Sequence, residues 1–475
     1  MPEKKCVITS MNQALEETKL GGLHWRVWFL SAMGVFLDGF DLFIIGVALP
    51  LIQREFSPGP FMTGLIGAAA VLGSIFGGFL GGWFTDRYGR KALYLVDLAF
   101  FIIFGVLTAF SWDVWSLIVF RFFLGLGVGV DYPICASYVS EFMPSRVRGK
   151  MLIGAFSFQA AGMLTGAVAG VVVLNIFPES GAWRWMLGLG VVPALIVLVL
   201  RTTVPESPRW LIDKGYFEKA GTVLAMIVPA LKDRINAIVA DTAAHAKKVK
   251  TKKFGYGQLL TKKYARRTVL AVVPWFCMDI ATYGIGLFTP TILAIITFDK
   301  ETNFILKDLA ATKGAAYLDT FLIAGFLLNI WLVDKWGRIR LQILGFGGMA
   351  LGLSILAIAT GTGAEGDASP FLVIPGFILF NLLMNMGPNA TTFILPAELF
   401  PTSMRASAHG IATSAAKLGA ALGIFLMPIL KSSVGIPSTL IVVAATAILG
   451  LLVTAVFQVH TTGKSLEEIN PGDIQ

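Results

Sequence analysis

Hydrophobic runs about as long as a bilayer is thick dominate this 475-residue chain. A helix that crosses a membrane needs about 20 apolar residues. We identify twelve such runs, near 26–50, 62–84, 92–111, 114–140, 151–177, 184–204, 268–297, 315–333, 341–360, 371–396, 404–430 and 437–459. Charged residues make up 14% of the chain, against about 25% in a soluble domain. The sequence therefore predicts an all-α polytopic membrane protein with twelve transmembrane helices.

One long polar segment, rich in lysine and arginine, separates the sixth run from the seventh. We therefore predict an N-terminal six-helix bundle over 1–204, a basic cytoplasmic linker over 205–267 and a C-terminal six-helix bundle over 268–475. Basic residues also follow spans 2, 4, 8 and 10, and such loops stay on the cytoplasmic side. We expect the protein to lie in a plasma membrane or a bacterial inner membrane. We expect both of its termini on the cytoplasmic side. The net charge of +9 then reflects orientation rather than binding of nucleic acid. Residues 1–20 are polar and show no cleavable signal, so we expect the first span to direct insertion.

Two short motifs recur in the two halves of the chain. GGWFTDRYGRK at 81–91 returns in weaker form as NIWLVDKWGRI at 329–339, and SEFMPSRVRG at 140–149 returns as AELFPTSMRA at 397–406. The second copies begin 248 and 257 residues after the first. Parallel repeated halves are typical of transporters whose substrate site lies between the halves.

Charged residues in these motifs fall at the predicted cytoplasmic ends of spans. We predict that they form ion pairs that latch one conformation and break when the halves rock. The alternative is that they serve only topology and solubility. The candidates are Asp86, Arg87, Arg90, Glu141 and Arg148 in the first half, and Asp334, Arg338, Glu398 and Arg405 in the second.

The six-plus-six layout and GGWFTDRYGRK resemble the major facilitator superfamily. VPESPRWL at 204–211 resembles the stretch that follows the sixth helix in its sugar-porter-like branch. The chain has no phosphate loop, nucleophile elbow or HExxH motif, so we do not expect an enzyme. Cys6, Cys135 and Cys277 lack metal-ligand spacing, so we expect no metal, cofactor or disulfide.

Polar residues inside the spans are the candidates for function, because an ionisable group at the bilayer centre costs at least about 2.5–3.5 kcal/mol. Asp41 could pair with Arg121 as a structural contact or belong to a proton relay. Asp97 is interpreted as structural, and Asn381 and Asn385 as interhelical hydrogen-bonding residues. The candidates for a cavity are Asp38, Asp41, Arg121, Asp131, Tyr132, Gln159, Trp275, Asp279, Tyr283, Asn389 and Lys417.

Spacing groups several of these candidates. Trp275, Asp279 and Tyr283 are each four residues apart and so lie on one helical face. Gln159 and Lys417 are 258 residues apart, close to the repeat offset, so we expect them at equivalent places in the two halves. Lys417 and the neutral donors suit a small oxyanion. An anion beside Asp279 is favourable only when that acid is protonated, so we predict that proton and anion binding are coupled.

Two further stretches resemble the phosphate:proton symporter family of the same superfamily. GVDYPICASYVSE at 129–141 matches its Asp-Tyr-Pro in helix 4, and the run from 385 to 420 matches its Gly-Pro-Asn-x-Thr-Thr-Phe, His-Gly-Ile and helix 11 lysine. Departures occur at Val130, Ile134 and Cys135. The resemblance implies phosphate contacts by Tyr132, Gln159, Trp275, Asp279, Tyr283 and Asn389. It implies proton handling by Asp38, Asp41, Asp131 and Asp279.

Three hypotheses follow from the sequence. The first is a proton-coupled symporter that imports inorganic phosphate by alternating access, with phosphate, protons and the lipid bilayer as its partners. The second is a proton-coupled transporter of a small organic anion, such as an aromatic or sugar acid. The third is a nutrient sensor built on a transporter scaffold, which the short polar tails disfavour.

Overall fold

The computed structural model describes residues 18–228, 256–296, 304–361, 370–400, 405–459, 461–462 and 469. Within these residues every regular element is helical. A polypeptide in lipid must satisfy its backbone hydrogen bonds internally, and a helix does so within one segment. The predicted all-α membrane architecture is therefore confirmed.

The first half begins with five long helices and ends with a broken sixth span. These elements are α1 (Gly22–Phe56), α2 (Pro60–Tyr88), α3 (Arg90–Ala109), α4 (Val114–Phe142), α5 (Ser145–Ile176), a 3-10 turn (Ser180–Ala182), α6 (Trp183–Leu189) and α7 (Val191–Arg201). The predicted linker holds α8 (Pro208–Asp213), α9 (Phe217–Ile227) and a 3-10 turn (Tyr256–Leu260). The second half contains α10 (Ala265–Ile296), α11 (Phe304–Trp336), α12 (Arg338–Gly361), α13 (Pro370–Met386), α14 (Pro388–Leu399) and α15 (Arg405–Phe457).

Among the described residues, eleven helical stretches are long and apolar enough to cross a membrane. The last of them holds two predicted spans, because the backbone of Gly435 leaves the helical region with φ of 80° and breaks α15 there. Counting both parts of α15 gives the twelve predicted spans.

Two predicted spans are interrupted. The sixth, predicted as 184–204, divides at Gly190 into α6 and α7. The tenth, predicted as 371–396, divides at Gly387 into α13 and α14. Pro388 lacks a backbone N–H and therefore suits the first turn of the new helix α14. A Cβ at Gly387 would lie 2.4 Å from the Leu341 carbonyl oxygen, so this break allows α12 to approach closely.

Glycine also sets the distance between the helices that carry the central polar residues. In the first half, a Cβ at Gly39 of α1 would lie 2.1 Å from the Gln159 carbonyl oxygen of α5. In the second half, a Cβ at Gly419 of α15 would lie 2.3 Å from the Phe276 carbonyl oxygen of α10. Small residues let membrane helices pack backbone to backbone. The two glycines bring Asp38 next to Gln159. They also bring Lys417 next to the face of α10 that carries Trp275, Asp279 and Tyr283, which we call the α10 stripe.

Apolar and polar side chains are distributed as a bilayer requires. Large hydrophobic side chains are exposed on the outside of the bundle, for example Phe110 at 75% and Phe371 at 89%. Ionisable side chains such as Arg121 and Lys417 are buried inside it. The polar interior therefore holds the candidate site.

Candidate functional site

Five side chains from both halves meet at the centre of the molecule. Asp38 Oδ2 accepts hydrogen bonds from the Tyr132 hydroxyl, from Gln159 Nε2 at 3.0 Å and from the Tyr283 hydroxyl at 3.4 Å. Lys417 Nζ lies 3.9 Å from the same oxygen. All five residues are at least nine-tenths buried. We call this group the central cluster.

Lys417 joins the two halves within the central cluster. Its ammonium donates to the Tyr132 hydroxyl of α4 at 3.1 Å and to the Tyr283 hydroxyl of α10. It also lies over both aromatic rings, 4.4 Å and 4.3 Å from their centroids. Gln159 Nε2 lies within hydrogen-bonding distance of the same two hydroxyls, at 3.1 Å and 3.3 Å. Gln159 and Lys417 thus contact the same two phenols from opposite halves.

A small cavity of about 20 Å³ adjoins the central cluster. Asp38, Tyr283 and Lys417 line it, together with Asp41 and Arg121. A volume of this size holds about one water molecule. In this conformation the cluster is therefore closed around its own side chains.

Asp41 and Arg121 form a bidentate ion pair beside this cavity. The guanidinium donates to the two carboxylate oxygens at 3.3 Å and 3.0 Å. Two parallel N–H donors fix the geometry of both side chains. Asp41 is therefore paired with Arg121, and both residues line the same cavity as Asp38, Tyr283 and Lys417.

A second buried network involves a residue that the sequence reasoning missed. Arg201, at the end of α7, donates to Asp97 at 2.8 Å and to Asp131 at 2.7 Å. Its guanidinium also stacks 3.5 Å from the Tyr94 ring centroid, and the arginine is fully buried. Asp97 is structural in the sense predicted, whereas Asp131 belongs to this network instead of the central cluster. The available signal was an arginine inside the predicted sixth span, 184–204, which was not singled out.

The predicted stripe on α10 divides between two environments. Tyr283 belongs to the central cluster, but Trp275 packs edge-on against the rings of Phe393, at 6.0 Å, and His409, at 5.5 Å. Asp279 lies between them, 2% exposed, and its Oδ2 has no hydrogen-bond partner among the described residues. In this conformation the carboxylate within 4.0 Å of Lys417 is Asp38, and the role of Asp279 stays a prediction.

Asparagine residues form a ladder along the tenth span. Asn389 Nδ2 donates to Asn385 Oδ1 at 2.7 Å, and Asn385 Nδ2 donates to the Asn381 carbonyl at 3.1 Å. Asn381 Nδ2 donates to the Leu318 carbonyl of α11 at 3.2 Å. Asn381 is therefore interhelical as predicted. Asn385 is not interhelical, because its side-chain amide makes both of its hydrogen bonds within its own span. Asn381 and Asn389 each lie four residues away, which puts them within reach on the same side of the helix.

The charged turns of the two halves have the same ion pair. Arg90 lies 2.9 Å from Glu141, and Arg338 lies 3.0 Å from Glu398. A further contact joins the halves, because Lys150 of α5 lies 3.2 Å from Asp334 of α11. We call the end of the bundle that carries these pairs the charged face, and the other end the opposite face.

Two other predicted latch residues make contacts of a different kind. Arg87 is exposed and stacks 5.3 Å from the Trp83 ring, because it extends from the end of α2. Arg148 donates to the Met143 carbonyl at 3.3 Å. The side chains of Asp86 and Arg405 lie outside the described residues, as does Cys6. Cys135 and Cys277 are buried free thiols.

Comparisons with known proteins agree with this architecture. The sequence family described as "Sugar (and other) transporter" matches residues 27–472. A solved structure of the major facilitator superfamily proton:xylose symporter XylE superposes with a TM-score of 0.75 at 23% identity, over 94% of this chain and 98% of that one. That likeness identifies the fold.

Two curated relatives span almost the whole chain. One is named "Probable inorganic phosphate transporter 1-6" of Arabidopsis thaliana, 31% identical over 97% of this chain and 96% of its own length. The other is named "Putative metabolite transport protein YaaU" of Escherichia coli, 29% identical over 95% and 96%. The family is one of transporters rather than enzymes. The chain is a multi-pass membrane protein with the major facilitator fold, and it belongs to the sugar (and other) transporter family.

Proposed function

We propose that this protein is a proton-coupled symporter that imports inorganic phosphate by alternating access. The observation that carries the proposal is the environment of Asp38. One carboxylate oxygen collects two phenols and an amide, with an ammonium beside it. A set of neutral donors with one cation is the environment that a small oxyanion requires.

Asp38 thereby acts as an internal competitor for the substrate anion. While its carboxylate accepts from Tyr132, Gln159 and Tyr283, these donors are not available to another anion. Protonation removes the charge that holds them, and a protonated carboxyl also becomes a donor. A proton and a phosphate then bind together, and loss of the proton restores the competition and expels the anion.

Asp279 is proposed as a second contact of the substrate. It lies one helical turn before Tyr283 on α10, and its Oδ2 is unpartnered among the described residues. A neutral Asp279 would donate to an anion held by Tyr283 and Lys417. Phosphate contacts are therefore proposed for Tyr132, Gln159, Trp275, Asp279, Tyr283, Asn389 and Lys417. Proton handling is proposed for Asp38, Asp41, Asp131 and Asp279. Arg121 is proposed to influence the protonation of Asp41 through its positive charge.

Alternating access fits the way in which the halves are joined. Lys417 bonds both halves at the centre, and Lys150 with Asp334 joins them at the charged face. The central cavity of about 20 Å³ is too small for a tetrahedral oxyanion, so entry requires the halves to separate. We propose that the charged face is cytoplasmic, in a plasma or bacterial inner membrane, with both termini on that side.

The names of the relatives support this choice of substrate. The Arabidopsis thaliana relative is named as an inorganic phosphate transporter, and the solved structure with the same fold is titled as a proton symporter. The donors of the central cluster are consistent with inorganic phosphate as the substrate. They can bind the oxygens of an oxyanion, and none of them needs contact with a carbon skeleton.

Uptake into liposomes tests the proposal. The purified protein is reconstituted, and uptake of radiolabelled phosphate is measured with and without an imposed inward proton gradient. We expect accumulation that depends on the gradient and is inhibited by unlabelled phosphate. No phosphate uptake at any pH, with the protein shown to be folded by its melting transition, would exclude phosphate as the substrate.

A small organic anion is the second candidate. The observation that favours it is an aromatic cluster beside the α10 stripe, in which Phe156 and Phe393 stack at 4.4 Å and Trp275 packs edge-on. Such rings would suit the apolar part of an aromatic or sugar acid. Inhibition of uptake by benzoate or a hexuronate, without inhibition by phosphate, would support this candidate over the first.

A further inference from the structure

Asp319 is a buried acid that takes no part in the proposed transport site. It lies close to the midpoint of α11, within 33 residues of helix, and is 4% exposed. Its Oδ2 is buried without a hydrogen-bond partner, and among the described residues the side chain forms no ion pair. An unpaired carboxylate at such a depth in a bilayer is strongly unfavourable.

The helices packed against α11 offer Asp319 no counter-ion at this depth. Those helices are α1, α5, α10, α12 and α13. Helix α13 contains no titratable residue. In α5 none follows Lys150, in α12 none follows Arg340, and in α10 none follows Tyr283. The charged residues of α5 and α12 therefore lie at the charged face.

The remaining titratable groups are engaged elsewhere. On α1, Asp38 and Asp41 line the central cavity, and Glu55 pairs with Arg184 at 2.8 Å towards the opposite face. On α11 itself, Lys313 and Tyr317 are exposed on other sides of the helix. The titratable groups of α10 that face the interior include Asp279 and Tyr283. They are an acid and a phenol and supply no positive charge.

Asp319 lies on the face of α11 that meets the first half. Phe326, two helical turns away, packs against Phe156 of α5 with ring centroids 5.9 Å apart. Residues seven apart share one helical face. Thr312, two turns in the other direction, is also fully buried. This side of α11 therefore carries two buried polar side chains, Thr312 and Asp319. Both lie between Phe326 and the end of the bundle called the opposite face.

Asp319 also adjoins the asparagine ladder that leads to the central region. Its neighbour Leu318 offers the carbonyl that accepts from Asn381, and Asn385 connects Asn381 to Asn389. Amides of this kind donate and accept hydrogen bonds, so they can order water between an acid and a cavity.

We propose that Asp319 is a further proton-binding site of this transporter, placed between the opposite face and the central cluster. It holds a proton while α11 and α5 are packed together and releases it when the halves separate and water reaches the carboxylate. Proton binding itself does not depend on the substrate, whereas its role in coupling rests on the proposed symport.

Infrared spectroscopy tests the proton site without any substrate. The C=O stretch of a protonated carboxyl is compared in wild-type protein and Asp319→Asn at neutral pH, with the exposed Asp113→Asn as the matched control. We expect Asp319→Asn to lose intensity equal to one carboxyl, and Asp113→Asn to lose none. Retention of the full band in Asp319→Asn would overturn the proposal.

A second measurement uses the wild-type chain and so does not depend on the folding of a variant. Dicyclohexylcarbodiimide adds to protonated carboxyls in apolar surroundings, and peptide mass spectrometry locates the adduct. We expect modification of Asp319 that decreases as the pH is raised. No adduct at Asp319 at any pH, with other buried acids modified, would contradict a protonated side chain there.

Phosphate uptake then tests the coupling role. In reconstituted Asp319→Asn we expect a shifted and less steep pH dependence of uptake than in wild type. An unchanged pH dependence would overturn the proposal, because the proton would then be permanently bound. Absence of uptake by the wild-type protein would instead refute phosphate transport, and the spectroscopic result would still decide whether Asp319 binds a proton.

Discussion

Arg90 pairs with Glu141 in the first half at 2.9 Å, and Arg338 pairs with Glu398 in the second at 3.0 Å. The two arginines also donate to the carbonyl five residues earlier, Thr85 and Val333 respectively. The buried interiors of the halves show no such agreement. The repeat therefore preserves the contacts at the charged face and leaves the interior free to differ.

Three buried acids in the interior of the first half are paired with arginines. Arg121 binds Asp41, and Arg201 binds Asp97 together with Asp131. In the second half, the buried oxygens Asp279 Oδ2 and Asp319 Oδ2 have no hydrogen-bond partner among the described residues. Lys417, a buried cation of the second half, lies 3.9 Å from Asp38 of the first half and also donates to Tyr132 there.

This difference separates structural charge from functional charge. A buried ion pair with good geometry resists a change in protonation, because either partner alone would be left uncompensated. An unpaired buried acid can gain or lose a proton without stranding a cation. We infer that the arginine-paired acids of the first half respond least to conformation, whereas Asp38 and the unpaired acids of the second half respond most.

Removal of Arg201 should give the largest effect on stability. Arg201→Met leaves Asp97 and Asp131 buried without their cation, and breaking such a pair costs about 3–5 kcal/mol. We expect a clearly lower melting temperature in detergent, measured by intrinsic fluorescence. Arg26→Met is the control, because Arg26 is exposed at the start of α1. Equal melting of the two variants would contradict a fixed charge network in the first half.

Removal of Lys417 should have the next largest effect, and this effect should be a weaker affinity for phosphate. A hydrogen bond to a charged group contributes about 1.5–3 kcal/mol. We therefore expect Lys417→Ala to weaken phosphate affinity about 10- to 150-fold, measured by titration calorimetry. Lys431→Ala, on the same helix α15 but outside the central cluster, should bind as wild type does. Unchanged affinity in Lys417→Ala would remove the cation from the proposed site.

Hydropathy predicted the fold of this chain well for a physical reason. A bilayer demands long apolar helices, and it places basic loops on one side, so sequence alone indicates span number and the division into halves. The breaks at Gly190 and Gly387 were not predicted, although Gly387 is followed by Pro388, a local signal for the start of a helix. The break at Gly387 lets the backbone of α12 approach, a contact that a local pattern does not contain.

The site was predictable in its residue types but not in its pairings. Polar side chains inside a span are energetically costly, and this cost selected Tyr132, Gln159, Tyr283 and Lys417. These four side chains meet in the structure. In this conformation the carboxylate within 4.0 Å of Lys417 is Asp38, a pairing that the sequence did not indicate. Packing of one half on the other decides such pairings, and a repeat within the sequence gives only equivalence of position.

Neutralising Asp279 should change coupling more than binding. Asp279→Asn keeps a hydrogen-bond donor next to Tyr283, so we expect phosphate affinity within about tenfold of wild type. We expect uptake that no longer responds to an imposed proton gradient, measured with radiolabelled phosphate in liposomes. Asp113→Asn, an exposed acid at the start of α4, should retain the response. A wild-type response in Asp279→Asn would place coupling on other acids.

The smallest expected effect concerns the turns, where the halves otherwise agree. Both turns contain a glycine with positive φ, Gly89 at 103° and Gly337 at 83°. In the first half Glu206 accepts from the backbone N–H groups of Arg90 and Lys91, at 3.0 Å and 3.2 Å. In the second half the side chain nearest to a Cβ at Gly337 is Thr462, which carries no charge. A carboxylate that binds the backbone N–H groups of the turn is therefore described in the first half and not at Gly337.

Burial raises the pKa of Glu206 above the usual glutamate value, although the backbone N–H groups of Ser207, Lys91 and Arg90 oppose part of the shift. A raised carboxyl pKa means that the folded state binds the proton more tightly than the unfolded state. Its contribution to stability is complete below the unfolded value of about 4.3 and is lost as the pH rises through the folded pKa. Glu206→Gln should remove this decline in melting temperature. Asp113 should show the opposite sign, because the Ser116 backbone N–H lowers its pKa and its contribution is lost as the pH falls. A decline that persists in Glu206→Gln would assign the titration to another group and remove this difference between the turns.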